Sequence, residues 1–153
     1  MNKSRNSRCR VTAVIPVARP DDRLARAIQS IEGQTVRPTE LIIVLDGEGD
    51  VTPFLPLSAQ VPVRVIKQKQ AGAAAARNRG VAEASFEWIA FLDADDQWHP
   101  EKLQRFQEAL DQFPETRLFA SRFLELTEHA SIARGVPRRC LVEPMTAFSI
   151  EVL

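Results

Sequence analysis

Apolar residues in this chain fall in short runs separated by polar, proline-containing or glycine-containing segments. Val11-Thr12-Ala13-Val14-Ile15 is the first run and Pro16 stops it. Leu41 to Leu45 is the second, Val63 to Ile66 a shorter third, and Trp88 to Leu92 the fourth. Short runs that are apolar on both faces predict buried, parallel strands. Helical spacing lies between them. Leu24, Ala27, Ile28 and Ile31 share one face of a helix that Asp21 or Asp22 can cap and that runs to about Gln34. The alanine-rich stretch from Gln70 to Ala84 predicts a second helix despite Gly80, and its small side chains suit close approach to a sheet. Pro100 suits the first turn of a third helix, with Leu103, Phe106, Leu110 and Phe113 as a buried stripe and Pro114 as its stop. Leu118 to Leu126 reads as a fifth strand, residues 51–60 as irregular, and residues 1–9 as a disordered N-terminus.

Strands alternating with helices predict an α/β fold with a mostly parallel, Rossmann-like sheet. Right-handed crossovers give a strand order of about 3-2-1-4. In that order the carboxyl ends of strands one, two and four converge on one crevice, where ligands bind in open α/β sheets. Pro16 to Arg19, Asp46 and Asp93 to Asp96 would then line the same pocket. The fourth run ends in Asp93-Ala94-Asp95-Asp96, three carboxylates within four positions. Two such charges about 4 Å apart repel by roughly 4 kcal/mol at an effective dielectric near 20. Solvent, a basic side chain or a hard divalent cation must offset that. A solvated acidic turn capping the next helix and a metal-ligating turn both satisfy the local pattern.

The chain has 153 residues, 44% of them apolar and 26% charged, which predicts one soluble domain with a real core. Twenty basic and twenty acidic residues cancel, so charge points away from nucleic acid as a partner. Cys9 and Cys140 are the only cysteines. They make neither a disulfide framework nor a zinc site, which suggests a reducing, cytoplasmic setting. No apolar run approaches the length of a transmembrane span.

Four blocks in consistent order and spacing carry a resemblance. They are Val11 to Pro16; Glu40 to Gly47; Gly72 to Gly80 with Ala76-Arg77-Asn78; and Phe91 to Asp96 with Trp98, Pro100, Lys102 and Leu103. Together they resemble the nucleotide-sugar-binding half of family 2 glycosyltransferases of the GT-A fold. The resemblance implies a domain over residues 10–126, with 127–153 starting an incomplete acceptor region. It implies transfer of a sugar from a nucleoside diphosphate, a UDP-sugar favoured, to a hydroxyl of a glycan or lipid-linked acceptor with inversion. Asp46 would accept a hydrogen bond from the base. The backbone of Pro16 and Val17 would border the base, with Ala18 beside them. Gly72, Arg77 and Ala94 would contribute to donor binding. Asp93 would approach the ribose, and Asp93 and Asp95 would hold Mn²⁺ or Mg²⁺. The setting implied is cell-envelope polysaccharide synthesis, in the cytoplasm or peripherally at the inner face of the membrane.

Departures from the family pattern accompany the match. Ala18 and Arg19 stand where an aromatic residue and Asn are usual, Leu45 where a first Asp is usual, and Gln70 where Asn is usual. No Glu-Asp or Asp-Asp pair follows Asp96, so the acceptor base is not identifiable among Glu125, Glu128, Glu143 and Glu151. The apolar ending from Ala147 to Leu153 suggests a shortened chain and a surface for homo-oligomerisation. A rival reading is a non-catalytic nucleotide-sugar-binding or scaffold domain. An aspartyl phosphatase also places Asp-x-Asp after a strand, but its motif opens the domain rather than following the fourth strand.

Overall fold

The structure, a computed structural model, describes residues 10–121 and the strands at 123–126 and 131–134. The expectations for residues 1–9, and for most of 127–153 including the apolar ending, lie outside the described residues. Strands β1 (Val11–Val17), β2 (Glu40–Asp46), β3 (Val63–Gln68) and β4 (Trp88–Phe91) form one parallel sheet in the order β3-β2-β1-β4. Helices α1 (Asp22–Glu32), α2 (Ala73–Glu83) and α3 (Lys102–Gln112) flank it, and Thr52–Phe54 forms a turn of 3₁₀ helix. Strands β5 (Phe123–Leu126) and β6 (Ser131–Arg134) pair antiparallel as a separate ribbon.

The period-two geometry of the strands sorts the core into two layers. Ala13, Ile15, Leu41, Ile43 and Ala90 pack with Leu24, Ala27, Ile28 and Ile31 of α1 and with Leu103 and Phe106 of α3. Val14, Ile42, Val44, Ile89 and Phe91 pack with Ala76 of α2 on the other face. Trp88, Phe106 and Phe119 close one end of the first layer, with ring centroids 5.0–5.7 Å apart. Gly80 is where α2 meets the sheet, since a Cβ there would lie 2.3 Å from Val14 Cγ1.

Several boundaries differ from those expected. Pro16 does not stop β1, which continues to Val17. Val14 C=O accepts from Leu92 N–H, so even-numbered residues of β1 point their backbone groups toward β4. Because β4 ends at Phe91, the missing N–H of Pro16 falls where no partner strand remains. Helix α1 ends at Glu32 rather than Gln34. Gly33 caps it, and the Gln34 side chain folds back to bond Ser30 C=O at 3.1 Å. Pro100 lies before α3, whose N-cap is Glu101. The expected stripe on α3 is buried at Leu103 and Phe106 but not at Phe113, which is 60% exposed. The fifth strand is confined to residues 123–126, and residues 116–121 have no regular secondary structure.

At the amino edge of the sheet, Glu40 is buried and satisfied. Thr12 Oγ1 (2.7 Å) and Ser85 N–H (2.6 Å) donate to Oε1, and Ser85 Oγ (3.1 Å) donates to Oε2. Burial pushes its pKa up. The hydrogen bonds from Ser85 and Thr12 and the charge of Arg64 outweigh that and hold it below the usual value. Glu40 thus staples β1, β2 and the α2–β4 turn at the end away from the acids.

Candidate functional site

All four parallel strands deliver their carboxyl ends to one edge, where a cleft of about 380 Å³ opens. Ala18 and Arg19 follow β1, Asp46, Gly47 and Glu48 come from the end of β2, and Lys69 and Gln70 follow β3; these line the cleft. Of the residues singled out from sequence, Ala18 and Asp46 stand in this lining. Pro16 and Val17 are buried in β1 beneath it. Gly72, Arg77 and the acids at 93–96 lie outside the lining, so the crevice is narrower in membership than the topology alone suggested.

Asp46 organises the floor. Its Oδ1 accepts from Gln68 Nε2 and Ala71 N–H, and its Oδ2 from Gly72 N–H, each at 2.8 Å. The Gln68 amide, then the Ala71 and Gly72 N–H groups, hold the carboxyl below its ordinary pKa. The bonds bend the chain from β3 into α2 at Gly72, whose φ of +93° favours glycine. A carboxylate offers about four lone-pair sites. Three donors therefore leave Asp46 room for one more.

The acids form a turn at the end of β4, with Asp96 N–H bonded to Asp93 C=O at 3.0 Å. They do not cap α3, whose N-cap residue is Glu101 and makes no side-chain cap. Two arginines offset their repulsion. Arg77, on the turn of α2 beside buried Ala76, bonds Asp93 Oδ1 at 2.5 Å. Arg23, in the first turn of α1, reaches Asp95 Oδ2 at 3.5 Å while its main partner is the N-cap carboxylate of Asp21. Half-exposed pairs such as Arg77–Asp93 are worth at most about 1 kcal/mol. A divalent cation can therefore displace these partners.

Asp93 and Asp95 are 48% and 59% exposed, two hard oxygen donors at the sheet's carboxyl edge. Among the described residues no three His, Cys, Asp or Glu side chains converge as a cage. Two carboxylates with the remaining positions open fit Mg²⁺ or Mn²⁺, which complete their shells with water and phosphate oxygens. Sequence reading passed over Arg23, Gln68 and Lys69. Their polarity is unremarkable locally, and only the fold brings them to this edge. Trp98 is buried in the core rather than at the cleft, with Lys102 Nζ 5.3 Å from its ring centre.

This sheet order with its flanking helices is that of GT-A glycosyltransferases, and solved structures bear out the fold. Staphylococcus aureus TarS 1-349 in complex with UDP superposes with a TM-score of 0.66 at 18% identity, covering 84% of this chain and 38% of that one. The mannosyltransferase PcManGT from Pyrobaculum calidifontis, in complex with GDP-Man and Mn²⁺, gives 0.60 at 22% identity, covering 69% and 33%. The chain belongs to glycosyl transferase family 2, whose family model matches residues 12–134. Among curated relatives, the succinoglycan biosynthesis protein ExoO of Rhizobium meliloti is 37% identical over 103 residues, 66% of this chain and 30% of its own length. An uncharacterized glycosyltransferase of Nostoc sp. is 44% identical over 89 residues, 56% of this chain and 28% of its own. The chain thus spans about 30% of the length of these relatives. No helix among the described residues is long and apolar enough to cross a membrane.

Proposed function

We propose that residues 10–126 form the donor-binding unit of an inverting glycosyltransferase. It takes a nucleoside-diphosphate sugar, a UDP-sugar favoured, together with Mn²⁺ or Mg²⁺. Residues 127–153 begin the region that meets a glycan or lipid-linked acceptor. One observation carries the reading: β4 delivers Asp93 and Asp95, countered among the described residues by weak arginine pairs, to the same sheet edge as the Asp46 cleft. The UDP and UDP-GlcNAc complexes of TarS and the GDP-Man and Mn²⁺ complex of the mannosyltransferase support it.

In this reading the fourth acceptor site of Asp46 takes the N–H of the base, against the backbone of Pro16 and Val17 and the side chain of Ala18. Gly72 serves indirectly, since its N–H holds Asp46 in place. Arg77 turns from Asp93 toward the diphosphate, Asp93 approaches the ribose, and the Ala94 turn carries Asp95 outward to the metal. A bound cation would neutralise charge developing on the departing nucleoside diphosphate. The relationship to a succinoglycan biosynthesis protein supports a role in polysaccharide assembly, which we place at the cytoplasmic face.

Calorimetric titration of UDP with and without Mn²⁺ tests the reading. The expected result is tighter binding with metal, and loss of that gain in Asp95→Ala with the melting temperature nearly unchanged. Asp95 is exposed and its only described side-chain partner is Arg23. Equal affinity with and without metal in the parent chain rejects the metal assignment.

A further inference from the structure

Between the acids and α3 the chain has no regular secondary structure, yet several of its backbone groups are paired with α1 and the residues just after it. Trp98 N–H donates to Ser30 Oγ at 3.0 Å, and that hydroxyl donates to Ala27 C=O at 2.7 Å. His99 C=O accepts from Gln34 Nε2 at 2.7 Å. Pro100 C=O accepts from Thr35 N–H at 2.9 Å. Leu103 N–H donates to Gln34 Oε1 at 3.1 Å. Gln34 is 3% exposed, and its second N–H goes to Ser30 C=O. Both amide hydrogens and the amide oxygen of this one side chain are therefore engaged. Removing it would leave the buried Leu103 N–H without its partner, while His99 C=O would keep only the bond from Lys102 N–H at 3.0 Å.

The two metal-side carboxylates are supported differently. Asp93 follows β4 directly, and the strand is held by the Leu92 N–H to Val14 C=O bond of 3.0 Å. Asp95 stands two residues further on, in an exposed turn that no strand holds. Upstream the turn is closed by the Asp96 N–H to Asp93 C=O bond of 3.0 Å, and downstream it runs into the segment that Ser30, Gln34 and Thr35 grip. Mn²⁺ and Mg²⁺ demand regular geometry, and a metal ligand displaced by more than about 0.5 Å is lost.

We propose that Gln34 is a positioning residue for the cation site: it sets the height of residues 98–103 against α1 and thereby the place of Asp95 relative to Asp93. The inference rests on the donor-site reading above. Its test compares UDP affinity in EDTA and in Mn²⁺ for the parent chain, Gln34→Leu, Asp95→Asn and the double variant. In Gln34→Leu the metal-dependent gain should fall by about tenfold, the usual loss when a partner behind a metal ligand is removed. Metal-free UDP affinity should stay at the parental value, and the double variant should bind no more weakly than Asp95→Asn. Ser30→Ala, which removes the Trp98 bond together with the hydroxyl's own bond to Ala27 C=O, should show a smaller fall in the same gain and serves if Gln34→Leu does not fold. A parental gain kept in both variants overturns the inference, and so does an equal loss with and without metal. A parent chain with no metal-dependent gain overturns the donor-site reading and this inference with it.

Discussion

Asp46 already accepts three hydrogen bonds from the turn into α2, so a single carboxylate supports the cleft floor as well as offering a lone pair to a ligand. Its folded pKa lies below the ordinary value, with the Gln68 amide the largest cause. An unfolded Asp titrates near 3.9. The stability it contributes is therefore complete above about pH 4 and is lost as pH falls through the lower folded value. Asp46→Asn should be less stable than the parent at pH 7, and the difference should shrink as pH falls from about 4 toward 2. Denaturant titrations at a series of pH values check this, and a difference independent of pH would contradict it. The sequence showed Asp46 at the end of an apolar strand, hence at the ligand edge. It could not show the three donors, which come from 22 to 26 residues later and leave no local pattern.

Helix α2 shows how small residues substitute for an apolar stripe. Ala76 and Gly80 are its buried positions, one turn apart, and they let the backbone descend onto Val14. That close approach also puts Arg77 within reach of Asp93. Gly80→Ala would improve intrinsic helix propensity by about 1 kcal/mol. The added methyl would sit 2.3 Å from Val14, and overpacking of that kind costs about 1–3 kcal/mol. The net effect should be destabilising, read as a lower denaturation midpoint; an equal or higher midpoint would mean that α2 moves off the sheet freely. Element types were readable from short apolar runs for the strands, helical spacing for α1 and α3, and alanine content for α2. Boundaries were less so where tertiary context decides. Pro16 is tolerated inside β1 because β4 ends at Phe91, and Phe113 is exposed where it stands as the C-cap residue of α3.

At the scale of the molecule, the strand order 3-2-1-4 followed from connection handedness and was legible before any coordinates. So was the meeting of strand ends at one edge. What the pattern left out is how that edge divides: a cleft built from the ends of β1, β2 and β3, and an acid turn after β4 that pairs with Arg23 and Arg77. These arginines lie on helices, and a strand-end argument has no place for them.

The grip of Ser30 and Gln34 on residues 98–103 spans 65 to 69 positions of sequence. Contacts so distant close after the local ones, and what forms last generally opens first. Amide exchange should expose this. The Trp98 and Leu103 N–H groups should exchange through a lower-energy opening than those of Ile42 and Ile43 in the sheet centre, and UDP with Mn²⁺ should slow the first pair selectively. Exchange of all four at one common free energy would mean that this segment opens only when the protein unfolds. The slower and faster sets together would show a sheet that persists while its acid turn is released and recaptured. Nucleotide residence would then be timed by a hydrogen-bonded latch rather than by the stability of the fold.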